Sequence, residues 1–89
     1  MNSCYLEVTY RKGRPFAAYY YLPRQSDDHS VRTEQIRGGI LVDFAPDGRA
    51  IGIEITSPSG LDLVRLNKSL VALGVTPLQA EELAPILAA

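Results

Sequence analysis

The sequence predicts an α+β protein: a twisted antiparallel sheet of four to five strands with two C-terminal helices packed on one face. Three observations predict it. Apolar and polar residues alternate with period two through much of residues 4–56, as half-buried strands require. A Pro-Asp-Gly turn separates two such runs and marks a hairpin. Leucines at helical spacing and two helix-start signals then occupy residues 61–85. Strands first and helices last is the order of an α+β architecture. With 89 residues, against about 100–200 for a typical domain, the chain is read as one domain over residues 1–89.

The strands follow in order. Cys4–Tyr10 alternates Leu6, Val8 and Tyr10 with Tyr5, Glu7 and Thr9. Arg11-Lys12-Gly13-Arg14-Pro15 is a turn, and aromatic-rich Phe16–Leu22 forms a second strand. Pro23–Ser30 is polar and aperiodic, hence a loop. Val31–Arg37 is a mostly polar strand suited to a sheet edge, and Gly38-Gly39 ends it.

Residues 39–56 carry the strongest pattern. Ile40, Val42 and Phe44 alternate with Leu41 and Asp43, and Ile51, Ile53 and Ile55 alternate with Gly52 and Glu54. Between them, Pro46 sets φ for the first turn position, Asp47 can bond back to the backbone, and Gly48 accepts positive φ. Placing the three isoleucines on the face of Ile40, Val42 and Phe44 sets Phe44 opposite Ile51, Val42 opposite Ile53 and Ile40 opposite Ile55. Asp43 then faces Gly52, and Leu41 faces Glu54.

The helices come last. Asp62 can cap a helix through about Leu73, with Leu63, Leu66, Leu70 and Leu73 on one face and Gly74 as its stop. Thr76-Pro77-Leu78-Gln79 has the residues of a second helix start: Thr as cap, Pro first, Gln completing a capping box. Pro85 should end or kink that helix, because it lacks an N–H and crowds the preceding turn. The apolar tail from Ile86 to Ala89 must dock somewhere.

Charge excludes some functions. Nine Lys plus Arg against ten Asp plus Glu give a net charge of −1, which argues against a dedicated nucleic-acid binder relying on basic residues to neutralise phosphates. No apolar run, 39–44 included, approaches the roughly 20 residues of a membrane span, and no signal-peptide pattern is visible at the start. Cys4 is the only cysteine, so no internal disulfide can form, which fits a reducing cytoplasm. A domain this small buries only about 60–65% of its unfolded surface, so self-association is expected.

Chemistry-bearing residues have ordinary explanations. Asp43, Asp47 and Glu54 are three carboxylates in one hairpin and could hold a divalent cation, bind a small molecule or act as an acid–base pair. Asp47, however, is where a turn places an aspartate, and the other two alternate with core residues. Asp27-Asp28-His29 has metal-ligand residue types, but adjacent residues rarely converge on one ion. Arg11, Lys12 and Arg14 beside Tyr19 and Tyr21 could grip a single strand of nucleic acid; the overall acidity favours a hairpin turn kept soluble by its charges. The glycines form no phosphate loop. No catalytic residue, metal or cofactor is expected.

Residues 39–55, with glycines at 39, 48 and 52, Asp43, Asp47 and Ile53-Glu54-Ile55, resemble the hairpin of the domain-of-unknown-function 2283 family, small bacterial proteins with a G-x-x-x-D-x-x-x-D-G-x-x-x-G-I-E-I/L pattern. Ala18-Tyr19-Tyr20-Tyr21-Leu22 is similar to the family's preceding A-L-Y-I-x-L strand. The chain departs upstream: Tyr10-Arg11-Lys12-Gly13-Arg14 stands where the family shows an acidic stretch, so no role of those acids transfers. The helical extension resembles that of some members. The resemblance implies a fold with almost no chemistry, and proximity to small toxin-like genes.

A non-enzymatic cytoplasmic interaction module, homodimeric and antitoxin-like, is therefore the expected function. Tyr19, Tyr21 and Leu41 fall on the sheet face opposite the core, and Ile86 and Leu87 lie in the tail; these are the expected partner-binding residues. Tyrosine suits this role because its ring buries area while its hydroxyl finds a polar partner.

Overall fold

The computed structural model describes residues 4–36 and 38–87. Five strands, β1 (Tyr5–Arg11), β2 (Arg14–Tyr21), β3 (Arg32–Ile36), β4 (Ile40–Phe44) and β5 (Ala50–Ile55), precede helix α1 (Leu63–Ala72), a 3₁₀ turn (Ala80–Leu83) and helix α2 (Ala84–Leu87). All strand pairs are antiparallel, in the order β1-β2-β5-β4-β3. The polar third strand is at an edge, as its composition predicts. Arg37, its expected last residue, lies outside the described residues, as do Ala88 and Ala89 of the tail.

The β4–β5 turn forms as its residues dictate. Gly48 N–H donates to Ala45 O at 2.9 Å, Gly48 has φ +89°, and the Arg49 amide donates to Asp47 Oδ1 at 3.1 Å. The pairs Ile40–Ile55, Leu41–Glu54, Val42–Ile53 and Asp43–Gly52 follow the side-chain pattern. The last expected pair does not. Phe44 faces Ala50, and Ile51 is an extra residue on β5. Such a bulge leaves alternation intact on both sides, which is why period two alone cannot reveal it. Ile51 is still fully buried, but stands apart from the main core.

That core lies on one sheet face. Ala18, Tyr20, Ile40, Val42, Phe44, Ile53 and Ile55 meet Leu66, Leu70, Val75, Leu78, Leu83 and Ile86 from the helical part, with Leu6, Val8 and Leu22 packed at the margin. Each fully buried aliphatic side chain contributes about 1.5–3 kcal/mol. Asp62 caps α1 by accepting from the Arg65 amide at 3.2 Å. Beyond Leu73, Val75 N–H reaches Leu70 O and Gly74 N–H reaches Val71 O, a paired closure that turns the chain back onto the sheet.

The second helical segment starts later than Thr76-Pro77 predicts. The Asn67 side chain accepts from Leu78 N–H at 2.8 Å and donates to Leu78 O at 2.9 Å. Both backbone groups of Leu78 are thereby committed to α1, so the chain turns helical only after Gln79, whose N–H donates to Glu82 Oε1 at 2.8 Å. Pro85 falls in the first turn of α2 and does not end it; there its missing N–H costs nothing.

Candidate functional site

The helices leave the other sheet face open. Strand pairing places Tyr5, Glu7 and Thr9 of β1, Ala17, Tyr19 and Tyr21 of β2, Gly52 and Glu54 of β5, Leu41 and Asp43 of β4, and Thr33 and Gln35 of β3 on it. Three of the five expected contact residues, Tyr19, Tyr21 and Leu41, therefore share one surface, and each is half-buried. Ile86 corrects the expectation for the tail. It is 1% exposed and belongs to the core, because α2 turns it inward beside Leu83. Leu87 remains 36% exposed. It follows Ile86 on the helical side of the sheet and does not join the tyrosines.

The middle of the face is a hydrogen-bonded chain. Arg24 Nη2 donates to the Tyr19 hydroxyl at 3.2 Å, which donates to Asp43 Oδ2 at 2.6 Å; Thr33 Oγ1 donates to Asp43 Oδ1 at 2.6 Å. Tyr19 lies on β2 and Asp43 on β4, so its ring must cross β5. It crosses at Gly52, where an added Cβ would sit 1.8 Å from the Tyr19 oxygen. Burial, then the bond to Asp43, push the Tyr19 pKa well above its ordinary value. The phenol is a held proton donor, and both Asp43 oxygens are occupied.

Aromatic rings extend this chain outward. Tyr21 is tilted against Tyr19 with centroids 4.7 Å apart, and Tyr5 stacks on Tyr21 at 4.3 Å and 15°. The Tyr21 hydroxyl donates to Glu7 Oε1 at 3.3 Å, and the Arg24 guanidinium lies 5.2 Å from the Tyr21 centroid. Arg24 Nε also donates to Ile51 O at 3.2 Å, fixing the head group over the sheet. Tyr5 is the outermost ring, 45% exposed. Tyr5 and Arg24 were not expected here. Odd-position alternation with Glu7 could have placed Tyr5 on this face, but no local signal announces Arg24, which arrives from the loop.

The other candidate groups serve the fold. Arg49 Nη2 donates to both oxygens of Asp28, at 2.9 and 3.1 Å, and its Nε donates to Asp47 Oδ2 at 3.1 Å. This clamp binds the Pro23–Ser30 loop to the β4–β5 turn and holds both carboxyls below their usual pKa. Asp27 Oδ1 accepts from Ser26, and His29 Nδ1 contacts the Asp27 carbonyl. Among the described residues no three His, Cys, Asp or Glu side chains gather as a metal site. Arg11 packs its guanidinium 5.3 Å from the Phe16 centroid at the β1–β2 turn.

On the helical side, a cleft of about 480 Å³ is bordered by Cys4, Leu22, Pro77, Leu78 and Glu82. The buried Tyr20 hydroxyl forms its floor and donates to Glu82 Oε2. Burial, reinforced by that bond, raises the Tyr20 pKa strongly.

An antiparallel sheet with one helix-covered face and one open, tyrosine-lined face defines a small α+β scaffold. Residues 17–58 match the family model described as protein of unknown function (DUF2283). The similarity to that family is confined to this segment, which runs from within β2 to just past β5. No curated protein and no solved structure matches the chain. Among the described residues no helix is long and apolar enough to cross a membrane.

Proposed function

We propose that this protein is a small, non-enzymatic interaction module of the bacterial cytoplasm, homodimeric, that holds a small toxin-like protein against its open sheet face. One observation carries the reading. The Tyr5–Tyr21–Tyr19 stack is braced by Arg24, Asp43 and Thr33 on a face that no helix covers. Rings already held in place lose little freedom when a partner closes over them, and tyrosine and arginine are the residues on which protein contacts concentrate their energy. The carboxylates support the non-enzymatic half, since Asp43 and Asp47 spend their oxygens on Tyr19, Thr33 and Arg49. The toxin-like class of partner is an analogy from the family resemblance.

Co-expression with the products of the genes flanking its own, a small toxin-like protein being the expected partner among them, tests the proposal. The chain and that partner should co-purify, growth arrest caused by the partner should be relieved, and Tyr5→Ser should abolish both while leaving the chain folded, at a cost of about 0.5–1.5 kcal/mol for the lost ring stack. Separate elution in mild buffer, or arrest that persists, overturns it.

A further inference from the structure

We infer that the homodimer forms by antiparallel pairing of β1 with β1 of a second copy, centred on Val8, joining the two sheets into one. This rests on the homodimeric reading above and names its interface. Strands β1 and β3 are the two edges of the sheet, and an edge presents a row of unpaired backbone groups that invites another strand. The two edges differ in what they would meet on self-pairing.

β1 runs seven residues, Tyr5–Arg11, without Pro or Lys. The irregularity in its pairing with β2 places the extra residue, Phe16, on β2, so β1 itself is continuous. Paired with a copy about Val8, Leu6 faces Tyr10, Val8 faces Val8, Glu7 faces Thr9, and Tyr5 faces Arg11. Apolar residues meet on the helical side of the sheet, where Leu6 and Val8 are packed at the core margin and Tyr10 is 57% exposed. On the open side an arginine meets a tyrosine ring, a favourable cation–π pair. No like charges are opposed.

Shifting the centre to Glu7 sets that carboxylate against itself, and shifting it to Thr9 sets Tyr5 and Leu6 against the turn residues Gly13 and Lys12. β3 fares worse. It has five residues, and full-length self-pairing centres on Glu34, opposing two carboxylates, which destabilises a sheet. Charge and apolar pattern therefore select β1 over β3 and Val8 as the centre.

Sedimentation or light scattering across concentration, with cysteine cross-linking, tests this. The chain should show twice its 9.8 kDa mass, and Tyr10→Lys should raise the dissociation constant at least tenfold with unchanged circular dichroism. In a Cys4→Ser background, Val8→Cys should form a disulfide-linked dimer under mild oxidation, since directly opposed residues of an antiparallel pair lie about 4.5–5.5 Å apart. Glu34→Cys, at the centre of β3, should not. A folded monomer at every concentration, a dimer indifferent to Tyr10→Lys, or cross-linking through Glu34→Cys in place of Val8→Cys overturns the inference. Retained capture of the toxin-like partner by a monomer would show that the edge assignment failed while the open-face proposal stood.

Discussion

Tyr19 on β2 donates to Asp43 on β4 at 2.6 Å, passing over the strand between them where Gly52 has no side chain. Gly52→Ala should expel the ring and break the bond. The expected cost is about 1–3 kcal/mol from overpacking and the lost charge-assisted bond. In a Tyr19→Ala background the same substitution should cost far less. A double-mutant cycle by urea unfolding measures that coupling; equal costs in both backgrounds would disconnect Gly52 from Tyr19.

Alkaline stability should fall earlier than the charge balance suggests. Tyr19 and Tyr20 both have pKa values raised above their ordinary value of 10.0, chiefly by burial. A raised folded-state pKa contributes stability that is complete below pH 10 and drains away as pH rises above it, because the unfolded chain then releases protons the native state retains. Ultraviolet titration should show these two tyrosines ionising only as the fold opens, and Tyr20→Phe should remove part of the alkaline slope.

At low pH the Arg49 clamp sets the direction. Asp28 and Asp47 have depressed pKa values, through hydrogen bonds to the Arg49 guanidinium and to backbone amides. Their contribution is present above the ordinary value of 3.8 and is lost as pH falls through the folded-state values. Arg49→Gln should flatten the acid limb of stability. It should also speed hydrogen exchange at the Gln25 and Asp28 amides, both of which are bonded within this loop.

Asn67→Ala should cost about 1–3 kcal/mol, because it strands both backbone groups of Leu78, a residue only 5% exposed. Thermal unfolding reads the loss. A near-neutral result would mean that water replaces the amide fully.

The two tail residues should separate cleanly. Ile86→Ala should cost about 2–5 kcal/mol as a core truncation, and Leu87→Ser should stay within about 0.5 kcal/mol, as exposed substitutions do. Chemical unfolding of the two variants checks both, and a severe Leu87→Ser phenotype in an isolated chain would contradict its exposed position.

Much of this architecture is readable from residue pattern because its signals are local. The Pro46-Asp47-Gly48 turn, the Asp62 cap, the polar edge strand and four of the hairpin pairs each depend on neighbours in sequence or on strand parity. What stayed hidden depends on distance along the chain. Ile51 bulges without disturbing the alternation around it, and Asn67 reaches Leu78 to delay a helix whose start signal is intact. Tyr19 finds Asp43 only because β2 settles beside β5, a neighbour set by topology. The mid-strand glycine at 52 was the one clue to that crossing, since glycine inside a strand often marks a close approach.

Leu66, Leu70, Leu78, Leu83 and Ile86, which roof the isoleucine side of the sheet, all come from beyond residue 58, where the family segment ends. Excised alone, that segment would carry Val42, Ile53 and Ile55 bare into water and would precipitate or seek a substitute cover. The matched segment is thus a half-built object in this molecule, and whatever stands over it, here the C-terminal helices, decides whether it survives as a free body.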